Sequence, residues 1–428
     1  MKEFHEGKAD SVSGLEKIDD YSVKIHYKEM TPSMKLAGGP ISPYIMPKHI
    51  FSTIPVKDWE QSDYVRGTKF VGLGAFKLES IIPGESVTLV PNEHYYKGRA
   101  KLDKVVMEIV SPDNIVSEMK AGKYDIASMP RAQFDTFKDL TNVTLLSSED
   151  SAYEYIAFQL GKWDGSISKN VMNPNAKMSD PVLRQAIAYA LDINQAGKSL
   201  YNGLQRGTNS LINPFFKDVY NKDQEGFSYN PEKAKKMLDD AGYKDVDGDG
   251  IREGKDGKPF KINLAMMSGS EIQEPLSQYY IQQWKSIGLN VELVDGRLLD
   301  FNNFYDRLKA DDPAIDCFFA AFGYGTDPQQ MNLFGKNSQF NKARYTSETL
   351  EKALEAQISP EALDEAKRIE IYHNYDKIFM EELPVAPQLN KMEYIVVNKR
   401  VKEYDWKYDI DMKEFDWSKI EVTAKEPI

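Results

Sequence analysis

The carboxylates between residues 245 and 256 have the spacing of a calcium-binding loop. Acidic residues occupy loop positions 1, 3, 5, 9 and 12 with glycine at position 6, and they are Asp245, Asp247, Asp249, Glu253 and Asp256. This spacing lets several oxygen atoms converge on one hard cation. The last position is aspartate rather than glutamate, and the flanking residues predict a helix and then a strand instead of two helices. A structural calcium ion is therefore one interpretation. The alternative is a glycine-rich turn whose aspartates accept local backbone hydrogen bonds.

A second segment with binding chemistry follows the apolar run that ends at Phe322. Glycines alternate with Tyr324 and Thr326, and Asp327 stands directly before a proline. Ligands of α/β sheets bind at the carboxyl ends of strands. We therefore expect Phe322, Gly323, Tyr324, Thr326 and Asp327 to line a ligand cleft. The alternative role of Asp327 is that of a turn former before the proline.

The motifs of the common enzyme classes are absent from the chain. There is no HExxH, G-x-S-x-G or P-loop sequence, and no metal-binding spacing connects the histidines His5, His26, His49, His94 and His373. Cys317 is the only cysteine, which excludes an intrachain disulfide and a thiolate zinc site. These absences favour a protein that binds a ligand without transforming it, so we predict no enzymatic activity.

The size and charge of the chain exclude further classes. With 428 residues the chain is too long for one compact core, so two or more lobes are expected. The net charge of −12 argues against nucleic-acid binding, which uses a clustered basic surface. No apolar run approaches the roughly 20 residues of a membrane helix. We predict a monomer.

The pattern of apolar residues predicts alternating strands and helices, and hence a mixed α/β fold. Asp180 and Asn230 each precede a proline and predict helix N-termini, Gly242 is expected to end the second of these helices, and Asp113 is a predicted N-cap. The further predicted elements are a hairpin over 74–90, strands over 143–146, 153–158 and 394–397, and a helix over 360–382.

Several of these segments resemble one known family in their residue patterns and in their order along the chain. The hairpin Val71-Gly-Leu-Gly-Ala-Phe-Lys-Leu78, its turn at Pro83-Gly84 and the following Pro91-Asn92-Glu-His-Tyr-Tyr-Lys97 are similar to a signature of the extracytoplasmic solute-binding proteins of family 5, the peptide- and nickel-binding family that serves ABC importers. The helix that runs from Asp180 to Asp192 resembles the D-x-x-V/L-R-Q-A-I-x-x-A-I-D helix of the same family.

The resemblance implies a periplasmic-binding-protein-like fold (type II, cluster C) with two lobes, mixed sheets and hinge strands. It implies a substrate-binding subunit that captures extended oligopeptides, mainly through backbone hydrogen bonds, and delivers them to the transmembrane permease. The implied division of the chain is a remnant of the N-terminal small lobe (1–65), part of lobe I (66–154), the ligand-binding lobe III (155–390) and a C-terminal return to lobe I (391–428).

The resemblance also implies roles for individual residues. Asp327 is the best match to an acidic residue that can pair with a peptide α-ammonium group. Arg307 aligns with a position that receives the peptide carboxylate in some members, and the alternative for Arg307 is an arginine on a solvated helix face. Met129, Tyr155 and Gln388 fall where the chain meets the cleft or passes between lobes.

The first residues lack an apolar signal segment and a lipid-attachment cysteine, and the Ser11–His26 region resembles an interior strand region of the family. We therefore expect a longer protein, anchored by a lipid outside a Gram-positive-type cell. A dipeptide, metal-chelate or peptide-pheromone receptor of the same family is the alternative function. An extracellular calcium-dependent hydrolase and an adhesion protein are alternatives from other classes.

Overall fold

The structure is a computed structural model, and it describes residues 11–36, 46–325, 327–404 and 416–427. Within these ranges, no helix has both the length and the apolar character that a membrane crossing requires. The strands are β1 (Leu15–Lys17), β2 (Val23–Ile25), β3 (Phe76–Ile82), β4 (Ser86–Pro91), β5 (Val105–Glu108), β6 (Ile126–Ser128), β7 (Val143–Phe158), β8 (Gly161–Asp164), β9 (Lys169–Met172), β10 (Arg206–Gly207), β11 (Lys261–Ala265), β12 (Asn290–Leu293), β13 (Cys317–Gly323), β14 (Val385–Asn398), β15 (Val401–Lys402) and β16 (Glu421–Val422).

Helices connect most of these strands. They are α1 (Pro32–Leu36), α2 (Lys48–Phe51), α3 (Pro112–Lys120), α4 (Phe134–Phe137), α5 (Pro181–Tyr189), α6 (Ile193–Leu200), α7 (Pro231–Ala241), α8 (Gln273–Lys285), α9 (Phe301–Lys309), α10 (Met331–Phe334), α11 (Glu348–Gln357) and α12 (Glu365–Glu382). Short 3-10 turns complete the set, among them the turn Pro360–Leu363 before α12.

A mixed seven-stranded sheet organises the molecule. Its order is β10-β14-β7-β13-β11-β12, and β6 pairs with β14. β11 is parallel to both β12 and β13, whereas β13 and β14 are antiparallel to β7. The hairpin β3-β4 pairs with β5 in a separate three-stranded sheet. The strand β13 therefore ends beside the middle of β7, and this pairing sets the position of the candidate site.

The alternation of side chains along β7 separates two hydrophobic cores. Ile156 and Phe158 pack into the core formed with α5, α7 and α8, which includes Trp284. Tyr153 and Tyr155 point to the opposite face, where α9, α11 and α12 cover the sheet. Full burial of one large apolar side chain contributes about 2–3 kcal/mol, so each face is a substantial source of stability. A third core, around α3, α4 and the outer ends of β7 and β14, contains Met119, Phe137 and Val396.

The local signals for the Asx-Pro helices are confirmed. Asp180 accepts a hydrogen bond from the backbone of Val182, and Asn230 accepts one from the backbone of Lys233. Gly242 ends α7 with a φ of 96°, a conformation that glycine adopts without steric cost. The predicted hairpin is also present, with its turn at Pro83-Gly84.

Other predicted boundaries are wrong. The N-cap of α3 is Ser111, whose side chain accepts a hydrogen bond from Asp113, because Pro112 takes the first helical position. The strands predicted over 143–146 and 153–158 form one strand, and the strand predicted over 394–397 extends back to Val385. The helix predicted from residue 360 begins at Glu365, after its N-cap Asp364.

Two of the three predicted lobe boundaries, those at residues 154 and 390, fall within the two longest strands, β7 and β14. β7 and β14 leave the core around α3 and α4 and enter the cores that pack against both faces of the sheet. The division at residues 65, 154 and 390 remains a prediction.

Candidate functional site

The carboxyl end of β13 borders open space. Gly323 pairs with Ala152 of β7, and the backbone of Tyr324 donates to the carbonyl of Ser151 at 3.2 Å. A Cβ atom added at Gly323 or Gly325 would meet no other atom within 4 Å. Because no side chain fills this space, the main chain of an extended ligand can approach the backbone here.

Aromatic rings pack behind this strand end. The ring of Tyr324 lies 4.9 Å from that of Tyr153 and 5.0 Å from that of Phe216. Burial raises the pKa of Tyr324 well above its usual value, so its hydroxyl stays protonated and donates to the carbonyl of Leu211. Phe322 has an edge-to-face contact with Phe340 at 6.0 Å. Tyr153 and Phe216 are each 1% exposed, so the rings around Tyr324 support the strand end from the core.

Asp327 follows these aromatic residues in the chain, and several hydrogen-bond donors hold its carboxylate. Its Oδ1 accepts from Arg368 Nη2 at 3.1 Å and from the Tyr372 hydroxyl at 3.1 Å, both on α12. Its Oδ2 accepts from Ser33 Oγ at 2.5 Å. The backbone of Gln329 also donates to Oδ1, at 3.2 Å, which is the turn contact expected before a proline. The role of Asp327 toward a peptide ammonium group remains a prediction, and Thr326 lies outside the described residues.

Arg307 lies at the end of α9 between two carboxylates. It donates to Asp312 Oδ2 at 2.6 Å and to Asp295 Oδ2 at 2.6 Å. These hydrogen bonds raise the pKa of Arg307 although its partial burial opposes them. A peptide carboxylate would compete with both partners, and its pairing with Arg307 stays a prediction.

The three residues predicted at the passage between lobes are buried. Met129 and Tyr155 are 5% and 7% exposed and belong to different cores. Gln388 is 2% exposed, and its Nε2 donates to the carbonyls of Ala386 and Pro387. Their contact with a ligand stays a prediction.

The ladder between β7 and β14 is irregular where these residues lie. The register shifts between Pro387 and Asn390 and again before Met392. A buried ion pair lies at this place: Lys391 Nζ is 3.2 Å from Glu154 Oε1, with the two side chains 15% and 6% exposed. Beta-bulges bend a strand locally, so these positions fit the hinge strands that the family resemblance implies.

Charged side chains on and beside the same two strands were not predicted from the sequence. Arg131 donates to Asp150 at 3.4 Å and to the carbonyl of Met392 at 2.6 Å. Burial raises the pKa values of Glu149 and Glu393, which face opposite sides of the ladder. The polar run 147–150 interrupts the apolar pattern. The sequence therefore predicts two strands with a gap between them, whereas the structure has one strand, β7, that contains these charged residues.

A buried carboxyl group supports the segment behind Tyr324. Asp376 is 1% exposed, and both of its oxygens are within 2.8 Å of Ser210 Oγ. Burial is the main cause that raises the pKa of Asp376 to about 7. The residue after Ser210 is Leu211, which accepts the Tyr324 hydroxyl, and the Asn213 amide donates to the carbonyls of Asp150 and Ala152. The segment 208–216 is thus fixed to α12 on one side and to β7 on the other.

The acidic loop over 245–256 has the hydrogen bonds of a tight turn. Asp245 accepts from the backbones of Gly248 and Gly250, Asp249 accepts from Ile251, and Asp247 accepts from Asp249. One carboxylate oxygen from each of Asp245, Asp247 and Glu253 lies within 4.8 Å of the others, and Glu253 is buried.

The two other predicted ligands of this loop, Asp249 and Asp256, are not in this group of three. Asp256 pairs with Lys258 at 3.0 Å. A surface cavity of about 400 Å³ adjoins the loop, lined among others by Asp245 and Arg252. Calcium binding stays a prediction beside the turn role.

The sequence of residues 2–342 matches the family described as bacterial extracellular solute-binding proteins, family 5 (middle). The chain belongs to this family of solute-binding proteins. Among its relatives is the oligopeptide-binding protein OppA of Lactococcus lactis subsp. cremoris (strain SK11), with 31% identity over 409 residues, covering 94% of this chain and 68% of the relative. The oligopeptide-binding protein AppA of Bacillus subtilis (strain 168) is 28% identical over 338 residues, covering 77% and 58%.

Solved structures show the same relationship. Lactococcal OppA, complexed with an endogenous peptide in the closed conformation, superposes with a TM-score of 0.91 at 30% identity, covering 98% of this chain and 79% of that chain. Bacillus subtilis AppA in complex with a nonapeptide gives a TM-score of 0.80 at 23% identity, covering 96% and 78%, and this similarity concerns the fold. The predicted family and the predicted periplasmic-binding-protein-like α/β fold are confirmed.

Proposed function

We propose that this protein is the substrate-binding subunit of an oligopeptide ABC importer, which captures extended peptides in the cleft beside β13. The observation that carries this proposal is the similarity to peptide-bound lactococcal OppA over 98% of this chain. The relatives OppA and AppA are both described as oligopeptide-binding proteins.

The geometry of the site supports the same function. Gly323 and Gly325 leave open space along a strand end, where a peptide can form main-chain hydrogen bonds. Tyr324 packs against the buried rings of Tyr153 and Phe216, which fixes the backbone of this strand end. Main-chain hydrogen bonds do not depend on the side chains of the peptide, which is what a general peptide receptor needs.

The finer properties follow from this role. The protein binds its peptide without cleaving it and works as a monomer. It passes the peptide to the transmembrane permease, and it does so outside the cytoplasmic membrane, to which a lipid anchors it. Family membership supports the extracellular setting.

The test is retention of peptides from a random nonapeptide pool on the immobilised protein, together with native mass spectrometry of the purified protein. We expect a ladder of intact bound peptides. Cleaved products would indicate the hydrolase, retention of dipeptides or a nickel chelate alone would indicate the other receptors of the family, and an empty spectrum with no retention would refute ligand capture.

A matched pair of variants locates the cleft. Gly323→Val fills the open space at a strand position that accepts a β-branched residue, and Gly165→Val makes the same change in the turn between β8 and β9. We expect Gly323→Val to weaken peptide binding at least about tenfold, the equivalent of one or two main-chain hydrogen bonds, and Gly165→Val to leave it unchanged. Equal affinities for the two variants would place the peptide elsewhere.

A further inference from the structure

Asp327 connects two segments that are 294 residues apart in the sequence. Ser33, on α1, donates its hydroxyl to Asp327 Oδ2 at 2.5 Å. The same short helix contacts the 3-10 turn Pro360–Leu363. The N-terminal segment therefore touches the part of the chain that carries the end of β13.

The two oxygens of Asp327 have different kinds of partner. Oδ1 is bound by Arg368 and Tyr372, both from the same face of α12, and the Asp327 and Arg368 side chains are 7% and 9% exposed. A buried ion pair of this kind is costly to break, so it holds the carboxylate in place. Oδ2 faces Ser33. The hydrogen bond between Ser33 and Oδ2 can therefore form or break without disturbing the ion pair between Asp327 and Arg368.

Two hydrogen bonds between exposed groups also join the segment before residue 155 to residues that follow it. Gln133 Nε2 donates to Glu271 Oε1 at 3.2 Å, and Asn202 donates to the carbonyl of Ala132 at 3.0 Å. The bond between Ser33 and Asp327 is shorter than these two and is partly buried. Its charged acceptor makes it roughly twice as strong as a bond between neutral groups, such as the one that Asn202 makes.

We propose that the hydrogen bond between Ser33 and Asp327 is a latch, which forms when the N-terminal segment closes on the end of β13 and breaks when the protein releases its ligand. This inference rests on the proposed peptide-binding function. Asp327 lies two residues beyond Gly325 in the chain, so the latch joins the N-terminal segment to the strand end where we propose that a peptide lies. Ser33 is a positioning residue: it acts on the ligand through closure.

The test measures association and dissociation rates of a dye-labelled nonapeptide, selected from a random pool by retention on the wild-type protein. Ser33→Ala is expected to raise the dissociation rate about tenfold, the equivalent of one charge-assisted hydrogen bond. It leaves the association rate and the melting temperature of the ligand-free protein unchanged, because the latch forms after encounter. Ser33→Thr, which keeps the hydroxyl, is expected to retain the slow dissociation.

Ser117→Ala is the matched control, since Ser117 Oγ makes only a local bond to the carbonyl of Asn114 in the exposed part of α3. Combining Ser33→Ala with Asp327→Asn should add nothing to the dissociation rate of Asp327→Asn alone. An unchanged dissociation rate in Ser33→Ala, or a fall in association rate and melting temperature together, would overturn the latch. A wild-type protein that retains no peptide would instead refute the proposed function.

Discussion

Replacement of Asp376 by asparagine should change how the stability of the protein depends on pH. Burial raises the pKa of this carboxyl from 3.8 to about 7 in the folded protein. The folded protein therefore keeps a proton that the unfolded chain loses between pH 4 and 7, and the free energy of unfolding falls as pH rises through that range. The difference of about 3 pH units, at 1.36 kcal/mol each, corresponds to about 4 kcal/mol.

Burial makes the ionised form of Asp376 costly, and its hydrogen bond with Ser210 offsets only part of that cost. A single hydroxyl, that of Ser210, faces both carboxylate oxygens, and one hydroxyl has only one proton to donate. The amide of Asp376→Asn can accept from Ser210 and donate to it, and it cannot ionise. We expect the variant to match the wild type near pH 4 and to exceed its free energy of unfolding by about 4 kcal/mol at pH 8.

Urea unfolding followed by tryptophan fluorescence measures this difference, because Trp284 is buried. Asp223→Asn is the control for the loss of one exposed negative charge. If the stabilities of Asp376→Asn and the wild type run parallel from pH 4 to 8, Asp376 is not a buried carboxyl with a raised pKa. The same result would also argue against a protonated Asp376 as the partner of Ser210 that holds the segment 208–216 to α12.

Three further perturbations test other parts of the structure. Lys391→Met leaves Glu154 as an uncompensated buried charge and should lower the free energy of unfolding by about 3–5 kcal/mol, whereas adding Glu154→Gln should restore most of it in urea titrations; a double variant as unstable as the single one would contradict this. Calcium at 10 mM should stabilise the protein by about 1–3 kcal/mol in thermal unfolding, and Asp247→Ala should abolish that gain, while equal melting temperatures in calcium and chelator would leave the loop with its turn role alone. Gly84→Ala should cost about 1 kcal/mol because Gly84 has a φ of 75° in the hairpin turn, and a neutral effect would contradict that reason.

The sequence predicted best the features that neighbouring residues decide. A helix that begins at Asp180 or Asn230 is fixed by the cap and the proline beside it, and its end at Gly242 is fixed by the freedom of glycine. The hairpin turn at Pro83-Gly84 has the same local origin. The family resemblance made it possible to predict the whole fold from these segments, because their order along the chain is as informative as their residue patterns.

Features that depend on distant contacts could not be predicted. β14 continues through Pro387, a residue that normally argues against a central strand, and the register with β7 shifts directly after it. Asp327 was predicted to face a ligand, but the sequence gives no sign that Arg368 and Ser33 reach the same carboxylate. The pairing of Glu154 with Lys391 is equally invisible, since it depends on how β7 and β14 align.

The continuity of β7 and β14 has a consequence for the thermodynamics of capture. Both strands run without a break through the region where the chain passes between cores, so the halves are joined by a hydrogen-bonded ribbon and not by a loose tether. A ribbon that flexes at its bulges samples few arrangements, whereas a flexible linker samples many. Little orientational entropy is then lost when the halves close, and more of the free energy of each contact is retained as affinity.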